Sequence, residues 1–247
     1  MNWRYFVGKS VATLGNSIIA SRLMPLTRVI PVGISYPYDI KIFSKGNPLE
    51  TIFDVGANIG QTSLFLKKHF SQAEIFAFEP VFKTFNELCK NTKKKNTIKP
   101  FNYAFGSQEE ELLISIRENS ELNTLVRDSS KNQALEKTVE TVKLTTIDTF
   151  CQQQHIEKID LLKMDVQGFE LEVLKGADFY LKNNLISFIY AEVSFEQSNQ
   201  ECQVFRYLYD YLRQNNFRFS GFYEVFRWGN DKRYFGFCNA LFVNCRL

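Results

Sequence analysis

Short apolar runs alternate with stretches of helical periodicity along most of the chain. Thr51 to Val55 (T-I-F-D-V), Glu74 to Phe78 (E-I-F-A-F), Ile98 to Ala104, Ile159 to Val166 (I-D-L-L-K-M-D-V) and Leu185 to Val193 (L-I-S-F-I-Y-A-E-V) predict strands. The last is the continuously apolar kind that a parallel sheet buries on both faces. Between them, apolar residues at three- and four-residue steps predict helices over Thr62 to Phe70, Val81 to Lys95 and Gly168 to Leu181. Phe82, Phe85, Leu88 and Cys89 would form the buried stripe of the second. Thr146 reads as the N-cap of a helix reaching Gln153, and Gln203 to Gln214 as an aromatic-rich helix. Phe217 to Trp228 and Tyr234 to Asn244 flank the turn Gly229-Asn230-Asp231 and predict a hairpin. Strand–helix alternation closed by a hairpin predicts a mostly parallel α/β sheet with an antiparallel end.

Other stretches are less regular. Met1 to Met24 reads as a helix, ended by Pro25 and Pro31. Within Val32 to Phe43 the run Y-D-I-K-I-F alternates, which predicts a strand or hairpin. Leu112 to Ile116 and Val139 to Leu144 read as strands, the first at an edge or in an insertion. The polar stretch Asn119 to Lys137 reads as a loop or lid. Two regions follow: an appendage over 1–50 and the main domain over 51–247.

Composition narrows the function classes. The 247 residues suit one α/β domain, and the 24 Phe and 11 Tyr give its core an aromatic character. A net charge of +3 is too mild to make nucleic acid the main partner. The five cysteines (Cys89, Cys151, Cys202, Cys238, Cys245) show no C-x-x-C spacing, which points to reduced thiols in a cytoplasmic setting. No stretch has the roughly 18 apolar residues of a membrane span. Trp3, Tyr5 and Phe6 beside Arg4 and Lys9 admit a peripheral membrane-touching helix, although a helix docked on the domain is the simpler expectation.

The chemistry gathers at the ends of the expected strands, where open α/β sheets hold ligands. D-V-G-A-N-I-G after the first strand brings Asp54, Gly56, Asn58 and Gly60 to a turn opening a helix. Glycines there let backbone approach a ligand closely. Glu79 follows Gly60 by about 20 residues, the spacing at which a carboxylate grips ribose hydroxyls. Asn102 and Ala104 end the third strand as further cofactor contacts, Asp165 ends the fourth and Glu192 the fifth. A dinucleotide loop needs a middle glycine against the pyrophosphate; Asn58 stands in that region, and Asp54 would repel phosphate. An acidic group there instead suits the amino group or sulfonium of S-adenosylmethionine.

The motifs D-V-G-A-N-I-G, F-A-F-E-P, N-Y-A-F-G-S, T-I-D-T-F and D-L-L-K-M-D-V-Q-G-F-E-L-E-V-L-K-G-A, spanning Thr51 to Val193 in order, resemble the FkbM family of S-adenosylmethionine-dependent methyltransferases. The resemblance implies a class I methyltransferase fold: a seven-stranded, mostly parallel Rossmann-like sheet with helices on both faces. It also implies methyl transfer to a hydroxyl oxygen, often on a sugar or natural product. One departure stands out: Gln167 occupies the place where the family usually carries Glu.

A hydroxyl acceptor benefits from a general base. Asp165, facing the glycine turn from the neighbouring strand, is the first candidate and Glu192 the second. His69 and His155 fall at no strand end. Lys163, inside an apolar strand, reads as a structural residue paired with an acid, and Glu170 and Glu172 read as first-turn helix charges. The aromatic residues of Phe205 to Tyr211 read as core or as the face of a homodimer. No dense cluster suggests a metal. The expected partner is a small-molecule or glycan hydroxyl. Gln167 leaves room for a non-catalytic S-adenosylmethionine-binding protein, and the turn for a nicotinamide-dependent oxidoreductase, which the Asn58 spacing disfavours.

Overall fold

A computed structural model describes residues 31–116, 124–126, 138–196 and 202–247. The expected helix over Met1 to Met24 and all but Thr124–Val126 of the expected loop over Asn119 to Lys137 lie outside them.

Nearly every strand of the central sheet comes from an apolar run identified above. β1 (Thr51–Val55), β2 (Glu74–Phe78), β3 (Ile98–Phe101), β8 (Ile159–Met164) and β9 (Ile186–Ser194) run parallel. β8 and β9 are buried at every position, as strands covered on both faces must be. β11 (Phe217–Trp228) and β12 (Tyr234–Asn244) form the hairpin, and β12 inserts antiparallel between β9 and β11. The order is β11-β12-β9-β8-β1-β2-β3, with short β10 (Gln203–Val204) beside the end of β9. This is the expected seven-stranded class I sheet, in which β12 alone runs against the rest.

Alternate residues of β1 feed two cores. Phe53 and Val55 face α4 (Ile147–Gln154), α5 (Glu170–Lys175), α6 (Asp178–Lys182) and α7 (Phe205–Gln214). Ile52 faces α1 (Tyr36–Phe43), α2 (Gln61–His69) and α3 (Phe82–Thr92). The phenylalanine excess settles in the first core. Phe53, Phe76, Phe78, Phe101 and Phe105 all surround Phe150, whose ring meets Phe78 edge-on at 4.9 Å.

Four expectations change. Residues 36–43 form α1, a helix and not a strand: Pro37 occupies its first turn, where a missing N–H costs nothing, and Tyr36 and Ile40, four apart, are buried together. Tyr36 stacks on Tyr190 at 3.9 Å and Asp39 accepts from the Tyr223 hydroxyl at 2.6 Å, so this part of 1–50 packs into the main core. The single helix expected after Gly168 breaks into α5 and α6 at Gly176, which packs so closely on the carbonyl of Gly106 that a Cβ would come within 2.0 Å, and whose own carbonyl accepts from Asp148 N at 3.0 Å. The buried stripe of α3 is Thr84, Leu88 and Thr92, while Phe82 is exposed. The third strand also ends early, at Phe101. Ala104–Phe105 (β4) joins a second sheet with β5 (Glu110–Ile116), β6 (Thr124–Val126) and β7 (Thr138–Thr145), ordered β4-β7-β5-β6.

Candidate active site

The C-terminal ends of β1, β2, β8 and β9 open into a cavity of about 610 Å³, within the ordinary range for small-molecule sites. Gly56, Asn58, Glu79, Ala104, Asp165 and Glu192 line it. Asp54, Gly60 and Asn102 stand behind its wall and hold the lining residues.

The glycine turn is built against protein more than against ligand. Gly56 has φ +75°, and a Cβ there would lie 1.9 Å from the carbonyl oxygen of Asp165, so glycine lets the β1 and β8 turns touch. The N–H groups of Gly56 and Ala57 both donate to Phe78 O, at 3.0 and 2.9 Å. Asn58 N donates to Glu79 Oε2 at 3.1 Å, and Gly60 N to Ala57 O at 2.9 Å. These donors are engaged within the protein, while Gly56 itself still lines the cavity.

Glu79 is buried at the end of β2. Its Oε1 accepts from Val81 N at 3.0 Å while Oε2 accepts from Asn58 N, leaving lone pairs on both oxygens. Burial pushes the carboxyl up to about 7, although the Val81 and Asn58 amides favour the ionised form. Asn102 reaches from the end of β3 to donate to Glu79 O at 2.9 Å and Pro80 O at 2.8 Å. Its amide steadies the Glu79 backbone instead of facing the cavity, as the sequence had suggested.

Asp54 is fully buried. Ser63 Oγ donates to its Oδ2 at 2.6 Å, and Lys163 Nζ lies 3.0 Å from Oδ1. The cation beside Asp54 is therefore the protein's own lysine, which corrects the expectation of a cationic ligand group there. Lys163 also donates to Gly56 O at 3.3 Å and approaches Asp165 Oδ2 at 3.8 Å. Burial disfavours its ammonium, but Asp54 and Asp165 outweigh this and raise its pKa. One ammonium thus ties the donor turn to the strand that carries Asp165.

Residues 54–219 match the Methyltransferase FkbM domain. The chain belongs to the FkbM methyltransferase family. Methyltransferase sdnD of Sordaria araneosa is 32% identical over 51% of this chain and 60% of its own length. Hexuronic acid methyltransferase AglP of Haloferax volcanii is 28% identical over 58% of this chain and 56% of its own. The chain thus spans less than two thirds of the length of these relatives. Among solved structures, M. capricolum TrmK with S-adenosyl-homocysteine overlaps 85% of this chain and 69% of its own at 12% identity, with a TM-score of 0.46.

S-adenosylmethionine is the cofactor of the FkbM family, and the residues present fit it: a buried carboxylate with lone pairs left for ribose hydroxyls, beside a glycine turn that lines the cavity. In the same cavity Asp165 is partly open to solvent, and Gln167 Nε2 donates to its Oδ1 at 3.3 Å. The Gln167 amide thus holds one oxygen of the Asp165 carboxylate. Glu192 is buried and accepts from the Cys202 thiol at 3.0 Å; burial and this bond push that thiol far up. Glu170 is no exposed helix charge. It is fully buried, Oε1 accepts from Val166 N at 3.0 Å, and Oε2 has no partner among the described residues. Burial pushes it up to about 8. His69 is also buried, where desolvation lowers it to about 4. Among the described residues no group of three His, Cys, Asp or Glu could hold a metal.

Lys163, a lysine inside the apolar strand I-D-L-L-K-M, is the structural residue paired with an acid that its place in the strand predicts. Two things carry no such signal: Glu170 as a buried acid, and the aromatic residues Tyr103, Phe226 and Trp228 on the cavity wall.

Proposed function

We propose that this chain catalyses transfer of a methyl group from S-adenosylmethionine to a hydroxyl oxygen of a sugar, glycan or natural product. The observation that carries this reading is one cavity that gathers Glu79, from the end of β2, with the carboxylates of Asp165 and Glu192, from β8 and β9 on the other side of β1. The hexuronic acid substrate in the name of the Haloferax relative supports a sugar acceptor.

S-adenosylmethionine, when bound, supplies an electrophilic methyl on a sulfonium. The residues of the chain do the rest. Glu79 accepts from the ribose hydroxyls, and Gly56 and Asn58 shape the wall beside the methionine part, with Asp54 and Gly60 holding that turn. Ala104 borders the base, and Asn102 keeps Glu79 in place. Asp165, oriented by Gln167, takes the acceptor proton as oxygen attacks, and Glu192 holds the acceptor or serves as the second base. Placing donor and acceptor in line supplies much of the acceleration.

The protein would work in the cytoplasm, as its five free cysteines favour, on a small molecule or glycan and not on nucleic acid. Membrane contact through the N-terminal stretch and a homodimer remain proposals. Titration calorimetry with S-adenosylhomocysteine and NAD separates the methyltransferase from the oxidoreductase reading: the former is expected to bind and the latter not. Asp165→Asn should bind S-adenosylhomocysteine normally and lose about 10²–10⁴ in turnover against a hydroxyl-acceptor panel. Unchanged turnover removes Asp165 as base, and absence of any methyl transfer by the wild type leaves the non-catalytic binding protein.

A further inference from the structure

The hairpin is longer than the sheet it joins. β12 pairs with β9 only from Cys238 to Val243, and β9 ends at Ser194. Tyr234 to Phe237 therefore pair with β11 alone and overhang the C-terminal edge of the sheet, where the cavity opens. The overhang is aromatic. Phe226 stacks on Phe237 at 4.8 Å and 17°, and Trp228 lies against Tyr234 at 5.0 Å. Phe226 and Trp228 are 47% and 54% exposed, although both line the cavity.

Two details show these rings set in place. Trp228 Nε1 donates to Phe235 O at 3.1 Å, so its polar group is satisfied by the hairpin and the apolar ring is left to face outward. At Gly236 a Cβ would come within 2.7 Å of the Phe226 ring, so glycine is what lets that ring lie over the strand. Pre-set exposed aromatic faces beside a cavity mark a surface meant to be covered. Asp165, Gln167, Glu192 and Glu196 line the same cavity and supply hydrogen-bonding groups.

We propose that Phe226 and Trp228 form the acceptor subsite, stacking on the apolar face of a saturated, polyhydroxylated ring whose hydroxyl edge meets the carboxylates, and so select cyclic over open-chain acceptors. This rests on the methyl-transfer reading above.

The test uses Trp3→Phe protein saturated with S-adenosylhomocysteine, so that Trp228 is the remaining tryptophan. Methyl pyranosides should shift its emission saturably, and open-chain sorbitol should not. In turnover, Trp228→Ala should raise the KM of a methylated pyranoside by at least about tenfold. Its affinity for S-adenosylhomocysteine should stay within about twofold, and Trp228→Phe should restore most of the loss. No emission shift with any pyranoside while S-adenosylhomocysteine binds overturns the subsite, as does an unchanged KM in Trp228→Ala. Failure of S-adenosylhomocysteine to bind sinks the methyl-transfer reading itself, and the subsite with it.

Discussion

Burial raises the Glu79 carboxyl to about 7, and the Val81 and Asn58 amides partly oppose it. Ribose hydroxyls donate to the ionised form, so cofactor affinity should be full above pH 7 and fall below it, by up to about tenfold at pH 6. Calorimetry with S-adenosylhomocysteine across pH 6–8 checks this, and Glu79→Gln should flatten the dependence. Lys163→Met leaves Asp54 buried beside no cation and should cost about 3–5 kcal/mol, read from denaturant unfolding. Removing both charges in Asp54→Asn/Lys163→Met should recover much of that. The strand-end positions of Asp165 and Glu192 were legible in the chain itself, because a strand's end follows from where its apolar run stops. The Asp54–Lys163 pair was not, since it forms only where β1 lies beside β8 with Asp54 opposite Lys163.

Among elements, capping was the most legible and alternation the least. Thr146 accepts from Thr149 N at 3.0 Å, as its place before an amphipathic run requires. Thr146→Ala should cost about 0.5–2 kcal/mol in chemical denaturation. α1 defeated the alternation rule because Y-P-Y-D-I-K-I-F satisfies both periods over so short a span. The contact of Tyr36 with Tyr190 chooses the helix, and that partner lies far along the chain. The break between α5 and α6 likewise falls at a tertiary contact, where Gly176 meets the carbonyl of Gly106.

For the whole molecule, the buried Glu170 makes stability depend on pH. Its carboxyl rises from the ordinary 4.5 to about 8. Between those values the folded chain holds a proton that the unfolded chain has released. The group's contribution is full below about 4.5 and is lost as pH rises through 8. Glu170→Gln should therefore melt several degrees above the wild type at pH 8, at about 2–4 °C per kcal/mol for a chain of this size, with the gap closing near pH 4.5. By itself the sequence determined which segments are strands and helices in the central sheet, their parallel sense, and the edge at which carboxylates would gather. Those follow from local periodicity and from the rule that crossovers bury parallel strands. Only the tertiary structure decided that Gly56 serves a contact between turns, that the cation at Asp54 is Lys163, and that the hairpin hangs over the cavity. Each depends on which distant surfaces meet, and periodicity along a chain carries no record of that.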